Sequence, residues 1–274
     1  MEYISPKSNT NINSEEVEEF ESSSLEKLIG VFVEPLRIFK SISQFGAKSI
    51  DWLLPLLFFL LTLILSDLMV TSIPSIRYSM LEKQALNIRN KLEPLVEQGL
   101  ITPDRINAQI ENLKKSYDEG LTVRKIKEAG YITLFEFIRF LVTLLVFHFT
   151  FKFLYQGKIE IKKSLVALGL PFYIKAFGNV ILIMAGLITS AYYQDLSIAS
   201  IIGADRSTTF GFILGKLDLF AIWYFLIVSF GLLILHNLRE KYKVIIIVFG
   251  IWLTSGLFFF WISKIVTNSV NPIL

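Results

Sequence analysis

Five apolar runs decide what this chain can fold into. They lie near 52–73, 131–154, 165–190, 214–236 and 244–266. A helix needs about 20 apolar residues to cross a hydrocarbon core about 30 Å thick, and each run has that length. In lipid the backbone must satisfy its own polar groups, so each run is expected to be a helix. The sequence therefore predicts an all-α polytopic membrane protein with about five transmembrane helices. Composition agrees, with 53% hydrophobic and only 19% charged residues, where soluble domains carry about 25% charged. Mean hydropathy is +0.56. These values argue against a soluble enzyme and a disordered chain. A net charge of +3 gives no reason to expect a nucleic-acid partner. The third run is interrupted by Gly169, Pro171, Lys175, Gly178 and Asn179. It is expected to be kinked or split, with the freed backbone groups partnered by neighbouring helices.

The remaining segments divide the chain further. Residues 1–22 are polar and acidic, with Glu15, Glu16, Glu18, Glu19 and Glu21, and read as a disordered tail. They lack the basic start and apolar run of a signal peptide. Over 23–50, Leu25, Leu28, Ile29, Phe32, Leu36, Phe39 and Ile42 recur at helical spacing. Ser24 is the expected cap, and Pro35 must break or restart the helix. This stretch is too polar to span and is read as an amphipathic helix in the membrane interface. Residues 51–274 form the membrane domain, with an insertion at 75–130. There Leu81, Ala85, Ile88, Leu92 and Leu95 face a second stripe of Ile106, Ile110, Leu113 and Tyr117. Gly99 can end the first helix, and Thr102-Pro103 can start the next. The reading is an antiparallel helical hairpin with a kink at Pro94, serving as a partner dock or a rigid spacer.

Short loops carry the orientation signal. Lys152, Lys158, Lys162 and Lys163 follow the second run, and Arg239, Lys241 and Lys243 follow the fourth. The positive-inside rule places both loops in the cytoplasm, with the N-terminus cytoplasmic and the hairpin outside. The hairpin's own mixed charges sit in a loop too long for the rule to govern.

Residues that carry chemistry are scarce. Cysteine is absent, and His148 and His236 are the only histidines. No metal-ligand spacing, phosphate loop or nucleophile elbow is present, so no catalytic residue, metal or cofactor is predicted. Asp67, Glu136, Arg139, Lys175 and Asp218 lie within or at the ends of the apolar runs. Charges there are costly and tend to be paired or wetted. Asp67, Glu136, Arg139 and Asp218 are candidates for one outer-side cluster, with Lys175 nearer the inner half. Interhelical ties are preferred over an ion pathway, because no chain of acids crosses the midplane. Trp52, Trp223, Trp252 and Trp261 suit interfacial belts.

Two segments bear a family resemblance. The first is Leu28–Ile42, containing Pro35 and Phe39, followed by Trp52-Leu53-Leu54-Pro55. The second is Asp218-Leu219-Phe220-Ala221-Ile222-Trp223, then Gly231-Leu232, a basic loop and a final span. Together they resemble the Yip domain family over roughly residues 25–266, with the hairpin as an insertion. The resemblance implies five helical spans, a cytoplasmic N-terminus, no catalysis and a scaffold, adaptor or membrane-shaping role. Some prokaryotic members accompany ABC-type exporters. The expected function is thus a non-catalytic adaptor in a bacterial inner membrane, joined to another membrane complex or to its own copy. The alternatives are a small-solute or ion transporter or channel, and a membrane-shaping or trafficking protein.

Overall fold

A computed structural model describes residues 21–118, 121–156 and 159–270, so the predicted tail lies outside the described residues except for Glu21 and Ser22. The described chain is α-helical, with one isolated β-bridge between Ser197 and Asp218 and no strand. In order, the helices are α1 (Ser24–Val33), α2 (Pro35–Phe45), α3 (Ile50–Ser72), α4 (Pro74–Glu97), α5 (Pro103–Asp118) and α6 (Leu121–Leu154). Then follow α7 (Ile161–Gly169), α8 (Phe172–Thr189), α9 (Ile198–Ile202), α10 (Thr209–Lys216), α11 (Leu219–Leu235) and α12 (Lys241–Val270). Ile50–Ser72, Gly130–Leu154, Ile161–Thr189 and Lys241–Ile262 are long and apolar enough to cross a membrane. Leu219–Leu235 is a shorter apolar helix. The protein is an all-α polytopic membrane protein.

Named contacts fix the directions of the helices. Phe59 of α3 lies beside Phe172 of α8 (5.0 Å), Asn179 donates to the Thr62 hydroxyl (3.1 Å), and Met69 meets Gly186. The numbers rise together, so α3 and α8 are parallel. α11 runs against them, with Phe220 on Gly178 and Gly231 on Ala167. α6 is also antiparallel to α8, with Phe140 near Phe172 (5.5 Å) and His148 at Ser164 on α7. Trp252 of α12 stacks on Phe225 (4.8 Å) and Phe260 on Phe212 (4.5 Å). Spans therefore alternate in direction. The two short basic loops share one end of the bundle, where Tyr155 reaches Glu240 (3.5 Å). The helical hairpin and the 190–218 segment share the other, where Lys83 donates to the Tyr192 carbonyl (2.6 Å).

Lipid tails are as apolar as leucine, so close contact between helices does much of the holding. Small residues permit that contact. A Cβ on Gly169 would sit 2.8 Å from the Trp52 Cα, and one on Gly231 would sit 2.8 Å from the Phe39 ring. Three of the four tryptophans pack against rings of neighbouring helices. Trp52 stacks on Phe140, Trp223 meets Phe32, and Trp252 meets Phe225. Only Trp261 is exposed.

Both the third and fourth runs are broken. Leu170-Pro171 separates α7 from α8, because proline cannot donate to the preceding turn. The Tyr224 hydroxyl on α11 donates to the Leu168 carbonyl beside this break (2.9 Å), the neighbour-supplied partner that lipid requires. Leu217-Asp218 separates α10 from α11. There Asp218 caps α11 through the Ala221 N–H (2.8 Å) and also accepts from the Leu196 N–H (2.9 Å).

The 23–50 segment forms two helices, with the break at Glu34 before Pro35. The cap is Ser23, one residue earlier than expected, because Glu26 completes a capping box with it. Ser22 and Ser41 hydrogen-bond (3.1 Å), which closes the open ends of a helical V. Its apolar face is packed, not free. Phe39 is buried on Gly231, and Phe32 makes edge contacts with Phe177 (5.4 Å) and Trp223 (5.5 Å). The V thus lies along α11 from Gly231 to Trp223, while Leu25, Ile29, Val33 and Leu36 remain exposed on its outer side.

The hairpin has the expected seam. Leu92, Ile106 and Ile110 are buried together, with Ala85, Ile88 and Leu95 packed around them. Gly99 has φ +70°. Its N–H bonds the Val96 carbonyl and the Leu100 N–H bonds that of Leu95 (both 2.9 Å), which is the Schellman pattern. α4 runs through Pro94, three residues before its end. Leu113 and Tyr117 do not seal the hairpin itself. They pack with Met69, Ile76, Met80 and Ile183 at the top of the bundle.

Candidate functional site

Four of the five predicted polar residues lie in one region of the bundle, and Asp67 lies apart. Glu136 and Arg139, one turn apart on α6, form an ion pair. Lys175 stands in the first turn of α8 among rings, with its Nζ 4.1 Å from the Tyr224 centroid, 5.3 Å from Phe172, 5.8 Å from Phe225 and 6.0 Å from Phe59. The charges of Arg139, Glu136, Lys216 and Asp218 all act on it. These residues therefore share one region of the bundle. Asp67 does not join them. It lies on α3 near Tyr192, and its carbonyl accepts from Thr71 (3.0 Å).

Residues of the family-like motif serve packing and capping. Pro35 opens α2, and Phe39 fills the space over Gly231. Asp218 is the α11 cap, Phe220 covers Gly178, and Trp223 receives Phe32. The two motif segments, far apart in sequence, thus meet along one face of α11.

Two polar clusters escaped the sequence reading. Lys27 of α1 and Asp51 of α3 form an ion pair at 2.7 Å, with side chains 7% and 1% exposed. The second Asp51 oxygen accepts from the Lys48 N–H (3.0 Å). The carboxylate also lies in the first turn of α3, where the helix dipole favours it. This pair pins the N-terminal V to the first span. The other cluster is on α6, α7 and the α11 C-cap. The Ser164 hydroxyl lies 3.1 Å from His148 Nδ1 and 3.2 Å from His236 Nε2. A signal for it existed in depth. His148 precedes the end of its span by six residues, Ser164 follows the start of α7 by three, and His236 ends α11. Antiparallel spans bring such positions level.

At the hairpin end, Arg206 holds Asp195 through two bonds (2.7 and 2.8 Å) and also donates to Ser197 (2.9 Å) and Ser200 (2.6 Å). Burial opposes the Asp195 charge, but the bonds from Arg206, Ser197 and Ser200 outweigh it and hold its carboxyl at about 2. This clasp lies next to the base of the hairpin, where the Tyr192 N–H donates to Ser79 (3.1 Å) and Lys83 stands over the Tyr193 ring (5.3 Å).

Among the described residues no three His, Asp or Glu side chains gather as a metal site. No family model, curated protein or solved structure matches this chain.

Proposed function

We propose that this protein is a non-catalytic membrane scaffold that holds a second membrane protein, or a second copy of itself, through the helical arm α4–α5. The observation that carries this reading is the construction of the arm. α4 alone is about 36 Å long at 1.5 Å per residue, and the arm has its own apolar seam. Its base is fastened to the 190–206 segment by Lys83 and Ser79. A fastened, self-sealed arm presents a surface in a fixed direction. Leu86 and Leu100 are exposed on it. The Yip-type resemblance supports the same reading and suggests an exporter of the ABC type, in a bacterial inner membrane with the arm outside, as the associated complex. Purification in mild detergent after crosslinking tests it. The expected result is a stoichiometric companion or a discrete self-adduct, lost when Leu86 and Leu100 are both changed to serine. Recovery of the single chain alone overturns it.

A second reading, a small-solute or ion transporter, is favoured by the two broken spans and by Lys175 among its rings, since interrupted helices mark substrate sites in transporters. Flux into liposomes, compared with Lys175→Gln and Glu136→Gln, decides this. No flux, or flux unchanged by both substitutions, removes it.

A further inference from the structure

The geometry points to a proton-binding site at His148, Ser164 and His236, in which the serine hydroxyl links two imidazoles and the site accepts one proton while closed. The three residues are 6%, 0% and 7% exposed, and they come from α6, α7 and the end of α11.

One hydroxyl carries one hydrogen, and that fixes the pattern. His236 Nδ1 is buried with no hydrogen-bond partner among the described residues. A neutral His236 therefore keeps its proton on Nε2, where Ser164 Oγ accepts it (3.2 Å). Ser164 is then free to donate, either to His148 Nδ1 (3.1 Å) or to the Glu160 carbonyl (3.3 Å). With both imidazoles neutral, it donates to His148. When His148 takes a proton on Nδ1, that nitrogen becomes a donor to Ser164, and the hydroxyl turns to the Glu160 carbonyl. Every group at the serine stays satisfied and no helix has to move.

The second proton is different. It would place an N–H on His236 Nδ1, which has no acceptor, and put two like charges on either side of one hydroxyl. An unmet buried donor is expensive. The charged groups that face the site are Lys152 of α6 and Lys163 and Glu160 at the start of α7. The Glu160 carboxylate is engaged by Lys163 (2.8 Å), and across the loop Glu240 is engaged by Lys243 (2.7 Å). Among the described residues, these two carboxylates near the site are thus both engaged by lysines. The three helix ends are therefore held together through the first protonation and released by the second.

Because these are the only two histidines in the chain, nitrogen NMR of the full-length protein, labelled at histidine and carrying a histidine-free purification tag, reads the site directly in lipid nanodiscs. Between pH 8 and 5 the expected result is one histidine passing to imidazolium while the other stays neutral as its Nε2–H tautomer. In Ser164→Ala the two are expected to titrate without this order. Both histidines charging together near the ordinary value of about 6.5 overturns the proposal. So does the absence of any charging above pH 5, or a native-like order in Ser164→Ala.

Discussion

A buried ion pair is held less by its attraction than by what would remain if one partner were lost. Removing one member of such a pair costs about 3–5 kcal/mol, whereas replacing both with apolar side chains is often neutral. Asp51→Ala strands the Lys27 ammonium and should lower stability by about that amount. The double variant Lys27→Met, Asp51→Leu should recover most of it, measured as unfolding midpoints in detergent. Close packing gives a second contrast. A side chain on Gly169 must push the Trp52 backbone, whereas one on Gly250 meets nothing within 4 Å. Gly169→Ala is expected to cost about 1–3 kcal/mol, as overpacking does, while Gly250→Ala, which removes a glycine from a helix interior, should raise the midpoint slightly. At this scale the sequence was least legible. Glu136 and Arg139 could be paired in advance because helical spacing places them on one face. Lys27 and Asp51, or the two histidines and Ser164, are joined only by the packing of separate helices, and nothing local marks them.

Elements were much easier to read, because their signals are local. Apolar stepping, Gly99 and Pro103 located the hairpin, and the structure seals it at Leu92, Ile106 and Ile110. Amphipathic spacing and Pro35 located the N-terminal helices. What these signals lack is the partner of an apolar face. The face of α1 and α2 is covered by α11, because Gly231 makes room for Phe39. The fourth apolar run gave no hint of its division, since the break depends on Asp218 bonding a loop segment more than twenty residues earlier. The Asp195–Arg206 clasp belongs to this scale and should respond to acid. Its carboxyl is held at about 2, below the unfolded value of about 3.9. Its contribution is therefore complete above about pH 4 and is lost as pH falls toward 2. A spin label at Ser207→Cys should stay immobile at pH 6 and become mobile only as pH falls toward 2. In Arg206→Gln it should be mobile already at pH 6.

For the whole molecule, span number and alternation came from hydropathy alone, because lipid leaves few other ways to place an apolar run. The structure brings the two basic loops to one end and the hairpin to the other. Which end faces the cytoplasm rests on the positive-inside rule. The chain has no cysteine, so an impermeant thiol reagent on intact cells should label Ser116→Cys and leave Lys162→Cys untouched. The reverse pattern would invert the orientation. The scaffold role is tested most directly by site-specific photocrosslinking in native membranes, with the probe placed at Leu86 or Leu100 on the arm and at Ile246 on the exposed face of α12. One discrete protein adduct from both arm positions, and none from Ile246, is the predicted result. Arm probes that capture no protein, or the same diffuse products as Ile246, would contradict it.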